Sequence, residues 1–216
     1  MRSFFSMDGK FYTVMTQIAD LLFVSILWIV GCLPIVTAIT STASMYYVIV
    51  KCIRFDCGRV WPEFWEAYRN NLRQGIALTI LFGGIGAGIG YLGYRVFVLS
   101  VNRSGLLFFL AISTLVISLL YVLNAIWIVP VLSRFSKSFG NLIKLNYVIA
   151  MRNFIRSLPM ILVVVVALVV ILAIPEMMFI VPSLVLLMHS FFVEPALRRF
   201  MPKQEEDNGD WHYGFR

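Results

Sequence analysis

The sequence predicts an all-α, polytopic transmembrane helix bundle with about six membrane segments and two cytoplasmic amphipathic helices. The chain of 216 residues is 60% hydrophobic and only 13% charged, whereas soluble domains carry about a quarter charged residues. Its charges are also segregated, because long charge-free runs alternate with short basic segments. We therefore expect one transmembrane domain over residues 1–203 and a disordered acidic and aromatic tail at 204–216.

The first charge-free run, residues 21–50, is too long for a single crossing, since a helix needs about 20 apolar residues to cross the hydrocarbon core. Pro34 divides it into a helix at 18–33 and a second piece at 37–53. The second piece is short and polar at its start. It is therefore either a full crossing or a re-entrant arm.

Four further runs have the composition of membrane helices. Residues 74–94 and 105–130 are long enough to cross, and 157–175 and 177–193 are shorter but adequate. The Ile-Pro-Glu-Met-Met stretch between the last two predicts a tight turn.

Positive charge predicts the orientation of the chain. Segments 51–73, 134–156 and 198–203 carry most of the Lys and Arg residues, which places them on the cytoplasmic side. Arg2 and Lys10 favour a cytoplasmic N-terminus as well. Six crossings with both termini inside satisfy these assignments, and five crossings with the N-terminus outside are the alternative.

A short element occurs twice at the start of a membrane segment, as AYRNNLR at 67–73 and AMRNFIR at 150–156. Each copy follows an amphipathic helical stretch with aromatic and basic residues suited to the membrane boundary. The functional interpretation is a pair of cytoplasmic docking helices, and the alternative is a pair of basic anchors that only fix topology. The candidate partner-docking residues are Arg69, Asn70, Asn71, Arg73, Arg152, Asn153 and Arg156.

These two copies raise the question of an internal duplication. Trp-Ile-Val also occurs twice, at 28–30 and 127–129, upstream of each copy. Internal repeats are common in transport folds. The two halves would cover about 1–99 and 104–195.

The glycine-rich stretch at 83–93 contains G-x-G-x-x-G, but it lies inside an uncharged span and lacks the βαβ context of a dinucleotide site. Its glycines instead form small-xxx-small pairs, which allow helices to approach closely. We expect packing within the chain more than packing against a partner. The candidate helix-packing residues are Gly84, Gly86, Gly88 and Gly90.

Few ionisable residues lie near membrane depth. Asp20 and Glu194 are interpreted as snorkelling or helix-capping groups, and His189 as the donor or acceptor of an interhelical hydrogen bond. The sequence shows no metal-ligand cluster, no nucleophile motif and no phosphate-binding loop. The net charge of +7 follows from the basic flanks rather than from nucleic-acid binding. We therefore expect no enzyme activity, no cofactor, no metal and no nucleic-acid partner.

The N-terminal third resembles the YesL family of bacterial integral membrane proteins. That family's pattern is an aspartate before an apolar run, a tryptophan, Leu-Pro-x-Val-Thr, and small residues leading to an aromatic and a basic residue. Here the pattern is carried by Asp20, Trp28, Leu33, Pro34, Val36, Thr37, Ala43, Tyr46 and Lys51, followed by Phe64 and Asn71-Leu72-Arg73-Gln74. The resemblance is good over residues 4–80, and Thr40 departs from it because relatives tend to have glycine there.

The resemblance implies a multi-pass protein of the bacterial plasma membrane whose family has no assigned function. Its members are typical of Firmicutes, beside genes for ATP-binding-cassette oligosaccharide importers. It therefore implies an accessory or assembly subunit of a carbohydrate importer, in contact with the bilayer and with permease or ATPase subunits. A small independent transporter or channel is the alternative.

Overall fold

The computed structural model describes residues 10–55, 58–99 and 105–200, and within them it contains helices and no strand. The α-helices in chain order are α1 Lys10–Cys32, α2 Ala38–Val48, α3 Val60–Leu99, α4 Gly105–Arg134, α5 Phe139–Arg152, α6 Phe154–Ala173 and α7 Val181–Leu197. A 3₁₀ turn, Ile35–Thr37, precedes α2, a π-helical segment, Ile49–Arg54, continues it, and a second 3₁₀ turn, Pro175–Phe179, precedes α7. The predicted tail at 204–216 lies outside the described residues.

The short second piece of the first apolar run forms the centre of the bundle. In the most apolar 18-residue window of Ile35–Arg54, 72% of the residues are buried, against 11% in that of Phe154–Ala173. Small and hydroxyl residues let α1, α3, α4 and α7 all pack against α2. The Ser44 hydroxyl donates to the Thr40 carbonyl oxygen at 2.9 Å, so it is satisfied within its own helix.

The helices alternate in direction as successive crossings require. Ile39, at the start of α2, donates its N–H to Thr79 Oγ1 of α3 at 3.2 Å. Lys51, in the π-helical segment that continues α2, pairs with Glu63 near the start of α3. Helices α2 and α3 are therefore antiparallel, and Arg134 places the end of α4 at the same level. We call this the basic end; it carries the start of α3 and the C-terminal ends of α2, α4 and α7.

The first amphipathic stretch is continuous with the membrane segment that follows it. Helix α3 has 40 residues and is about 60 Å long at 1.5 Å per residue, twice the thickness of the hydrocarbon core. Its first turns pack against α1, where Trp61 stacks on Phe23 with ring centroids 6.1 Å apart. The two amphipathic segments thus differ, because α5 is separated from α6 at Asn153, whose φ of −114° and ψ of 29° are not helical.

Among the described residues, five helical stretches are long and apolar enough to cross a membrane: Met15–Cys32, Ile35–Arg54, Val60–Val98, Phe109–Arg134 and Phe154–Ala173. Helix α7 is apolar but shorter. The predicted polytopic all-α bundle is confirmed. The shorter helix is the last one, whereas the sequence pointed to residues 37–53 as the doubtful crossing.

Candidate functional site

Residues of the predicted family motif build the turn between α1 and α2. The Thr37 hydroxyl donates to the carbonyl oxygens of Gly31 and Pro34, at 2.7 and 2.6 Å. Pro34 is extended and ends α1 before the 3₁₀ turn. Trp28 donates Nε1 to Thr42 Oγ1 at 3.0 Å. Trp28, Pro34 and Thr37 therefore hold α1 against α2, and the fourth motif residue, Asp20, is half-buried on α1.

Two glycines outside the predicted glycine-rich stretch allow close contacts between helices. A Cβ atom on Gly75 would lie 3.0 Å from the Cα of Thr40, so α2 and α3 meet backbone to backbone. A Cβ on Gly31 would lie 2.6 Å from Ser41 Oγ. The family resemblance predicts glycine at position 40. Threonine fits there because the residue that it faces on α3, Gly75, is itself a glycine.

A buried ion pair joins the ends of α4 and α7. Arg134 donates Nε and Nη2 to Oε1 of Glu194 at 3.0 and 2.8 Å. Tyr46 of α2 donates its hydroxyl to the same oxygen at 3.0 Å. The Arg134 and Glu194 side chains are only 1% and 2% exposed. We call Tyr46, Arg134 and Glu194 the ionic cluster; it ties three helices together at the basic end.

The π-helical segment directs two cations to different neighbours beside this cluster. Lys51 Nζ lies 2.6 Å from Glu63 Oε1 on α3. Arg54 donates Nη1 to the carbonyl oxygen of Ser190 on α7 at 2.8 Å. Single π-helical turns within α-helices are frequent at functional sites. Here the wider turn lets the end of α2 reach both α3 and α7.

The sequence interpretation of Glu194 as a snorkelling or capping group is wrong, and Arg134 was not singled out. Both residues interrupt or end apolar runs on the side predicted to be cytoplasmic, which was the available signal. Their pairing depends on the rotation of α4 and α7, which hydropathy does not give. The predicted interhelical hydrogen bond of His189 is confirmed, since its Nε2 lies 3.1 Å from the Met160 carbonyl oxygen of α6.

The first predicted docking element lines an open groove. The groove has a volume of about 580 Å³ and is lined by Trp61, Pro62, Trp65, Glu66, Arg69 and Asn70. Arg69, Asn70 and Arg73 are exposed, but Asn71 is buried and donates Nδ2 to the Ala67 carbonyl oxygen at 3.0 Å. Asn71 is therefore part of the packed face of α3 and is not available to a partner.

The second predicted docking element presents fewer free groups. Arg152 is exposed, with its guanidinium carbon 5.6 Å from the Phe200 ring centroid. Asn153 is buried and donates to the Ile149 carbonyl oxygen at 2.9 Å. Arg156 donates to Asn153 Oδ1 at 3.1 Å. Asn153 and Arg156 thus stabilise the break between α5 and α6, and the structure brings no docking residue of this element to the groove on α3.

The predicted packing glycines divide into two groups. A Cβ on Gly86 would lie 2.6 Å from the Tyr121 hydroxyl of α4, so Gly86 packs within the chain as predicted. At Gly84, Gly88 and Gly90 an added Cβ would meet nothing within 4 Å. These three glycines therefore make no close helix contact with the described part of the chain.

An apolar cleft of about 300 Å³ lies between α4, α6 and α7, with α1 and α2 at its inner side. Its wall includes Val164 and Leu168, which are 40% and 57% exposed. Trp28 and His189 also line it, and both have hydrogen-bond partners. The cleft therefore presents an apolar surface open towards the outside of the bundle.

These features define a multi-pass membrane protein. The halves of α3, α4 and α6 away from the basic end expose large apolar side chains, such as Phe97 at 76%, Leu115 at 70% and Leu172 at 74%. Such continuous apolar exposure suits contact with lipid rather than water. The bundle is thus an integral membrane domain, and the ion pairs of its described residues lie at the basic end.

Residues 21–94 match the family described as "Protein of unknown function, DUF624", the domain that defines the YesL-like family. The match contains Trp28, Pro34 and Thr37, so the resemblance seen in the sequence is confirmed over this segment. No curated protein and no solved structure matches the chain.

Proposed function

We propose that the protein is a non-enzymatic subunit that binds a partner through the groove at the start of α3. By the family resemblance, the partner is a permease or ATPase subunit of an ATP-binding-cassette carbohydrate importer in the bacterial plasma membrane. The observation that carries the proposal is the groove itself. It joins exposed aromatic and basic side chains on a helix whose opposite face is fixed in the bundle.

The chemistry of the groove suits a protein partner. Trp61 is 54% exposed, and Trp65 lines the same groove. Arg69 and Glu66 supply opposite charges at the rim. Tryptophan and arginine dominate the binding energy of protein interfaces.

The location of the groove supports the same proposal. It lies at the basic end, which the distribution of Lys and Arg predicts to be cytosolic. A cytosolic ATPase or the cytosolic loops of a permease would meet this end. Both chain termini would then lie in the cytosol with it.

The test is affinity purification of the tagged chain from its native membrane in mild detergent. We expect importer subunits to co-purify with the unaltered chain. The double variant Arg69→Gln with Asn70→Ala should lower their recovery at least fivefold without changing the amount of inserted protein. The control Arg95→Gln removes an exposed cation on the last turns of α3 and should have no effect. Recovery of no importer subunit would overturn the proposal.

A small independent transporter is the second candidate. It is favoured by the ionic cluster, since buried ionisable residues in membrane segments often mark transport pathways. Purified protein in liposomes should then carry oligosaccharide with no other subunit present. Flux equal to that of empty liposomes would exclude this candidate and leave the first.

A further inference from the structure

One side of α7 faces outward as an apolar stripe and ends in a cation. Leu184, Met188 and Phe191 are 39%, 49% and 57% exposed. Their spacing of four and three residues places them on one side of the helix. Arg198, seven residues after Phe191, continues this side and is exposed. The stripe therefore has the polarity of a helix that passes from hydrocarbon to a lipid headgroup region.

Arg54, the last residue of the π-helical segment after α2, lies against the same stripe. Its guanidinium carbon is 4.7 Å from the Phe191 ring centroid and 5.6 Å from that of Phe55. Phe55 is also exposed, at 40%. The hydrogen bonds of Arg54 to Ser190 use Nη1. The guanidinium group is thus held in place between two exposed rings at the edge of the bundle.

The charges of Arg54 and Arg198 are not balanced by a carboxylate in the described part of the chain. The ion pairs there use Glu63 for Lys51 and Glu194 for Arg134. Among the described residues, these two cations on a lipid-facing surface thus have no carboxylate partner, and an anion from outside the chain could pair with them. The basic residues around them add to the attraction for an anionic membrane surface.

We propose that Arg54 and Arg198 bind the phosphate of an anionic phospholipid whose acyl chains lie along the apolar stripe of α7. Arg198 follows Phe191 by seven positions, a rise of about 10.5 Å, which two arginine side chains can bridge around one phosphate. The planar guanidinium group matches phosphate with two parallel hydrogen bonds. Phe55 and Phe191 fix the approach of Arg54 and shield it from water.

The experiment is lipid titration of the full chain after delipidation in detergent, with bound lipid counted by native mass spectrometry. Phosphatidylglycerol should bind in preference to phosphatidylcholine. The double variant Arg54→Gln with Arg198→Gln should lower the affinity for phosphatidylglycerol about twenty-five-fold, from about fivefold per cation near an anionic surface. Arg95→Gln should leave it unchanged.

Arg198→Gln alone keeps the test valid if loss of the Arg54–Ser190 contact disturbs folding. It should weaken phosphatidylglycerol binding about fivefold, since one cation is lost from an exposed position. Equal binding of the two lipids by the unaltered chain would overturn the proposal, as would equal affinity of the double variant. Inorganic phosphate at millimolar concentration should not displace the lipid; if it does so completely, the site binds free phosphate instead.

Discussion

The ionic cluster gives the sharpest prediction about stability. Glu194→Leu leaves the Arg134 guanidinium, 1% exposed, without its carboxylate. Arg134→Met leaves the Glu194 carboxylate buried without its cation. Removing one partner of a buried pair costs about 3–5 kcal/mol, because the remaining charge is not solvated. We expect each single variant to lose this much free energy of unfolding.

The double variant Arg134→Met with Glu194→Leu should be more stable than either single variant. Replacing both charges by apolar groups of similar size is often neutral. The remaining cost comes from Tyr46, which loses the acceptor of its 3.0 Å hydrogen bond. An unsatisfied buried hydroxyl costs about 1–3 kcal/mol. The double variant should therefore lose about 1–3 kcal/mol.

Unfolding by sodium dodecyl sulfate in mixed micelles measures these values. Intrinsic tryptophan fluorescence, to which the fully buried Trp127 contributes, reports the transition. The physical reasoning is refuted if either single variant stays within about 1 kcal/mol of the unaltered chain. It is also refuted if the double variant loses the sum of the two single losses.

The same unfolding measurement tests three further contacts. Gly75→Ala should lower the free energy of unfolding by about 1–3 kcal/mol through overpacking against α2. Gly88→Ala, on the same helix with open space around it, should raise it by about 0.5–1 kcal/mol. Equal effects of the two variants would refute the close approach of α2 and α3. Thr37→Val should lower the free energy of unfolding by about 1–2 kcal/mol, because it removes the hydrogen bonds that close the α1–α2 turn. Ser113→Ala is the neutral control, since the exposed Ser113 hydroxyl forms hydrogen bonds only within α4. Tyr46→Phe should cost about 1.5–3 kcal/mol because its hydroxyl bonds a charged group, and no change would mean that Glu194 is satisfied by Arg134 alone.

Much of the helix layout was predictable from charge and proline. Charge-free runs mark the apolar cores of α1 to α4, α6 and α7, and Pro34 marks the end of α1. Helix length was less predictable. No proline lies at the junction of Arg73 and Gln74, so the amphipathic stretch and the membrane segment form one continuous helix, α3. The similar stretch around Asn153 does break, and Pro159 in the first turns of α6 is a helix-breaking signal that the first copy lacks.

The candidate site was only partly predictable, since it depends on how the helices rotate and pack. Arg69 and Asn70 lie on the exposed side of α3, as the pattern predicted. Asn71, the next residue, lies on the packed side of the helix. Gly84 and Gly88 have the sequence spacing of packing residues, yet Gly75 makes the close contact. Spacing identifies residues on one helix face, and only the neighbouring helices decide which face is covered.

The sequence predicts that the chain crosses the membrane six times with its basic end in the cytosol, and the proposed function depends on this topology. Single cysteines placed in a variant without the native ones, labelled in intact cells by a membrane-impermeant maleimide, test it directly. Ile35→Cys, at the exposed α1–α2 turn, and Glu176→Cys should label from outside, and Arg69→Cys only after permeabilisation. Labelling of Arg69→Cys in intact cells, or failure of Ile35→Cys to label from outside while Glu176→Cys does, would contradict the claim.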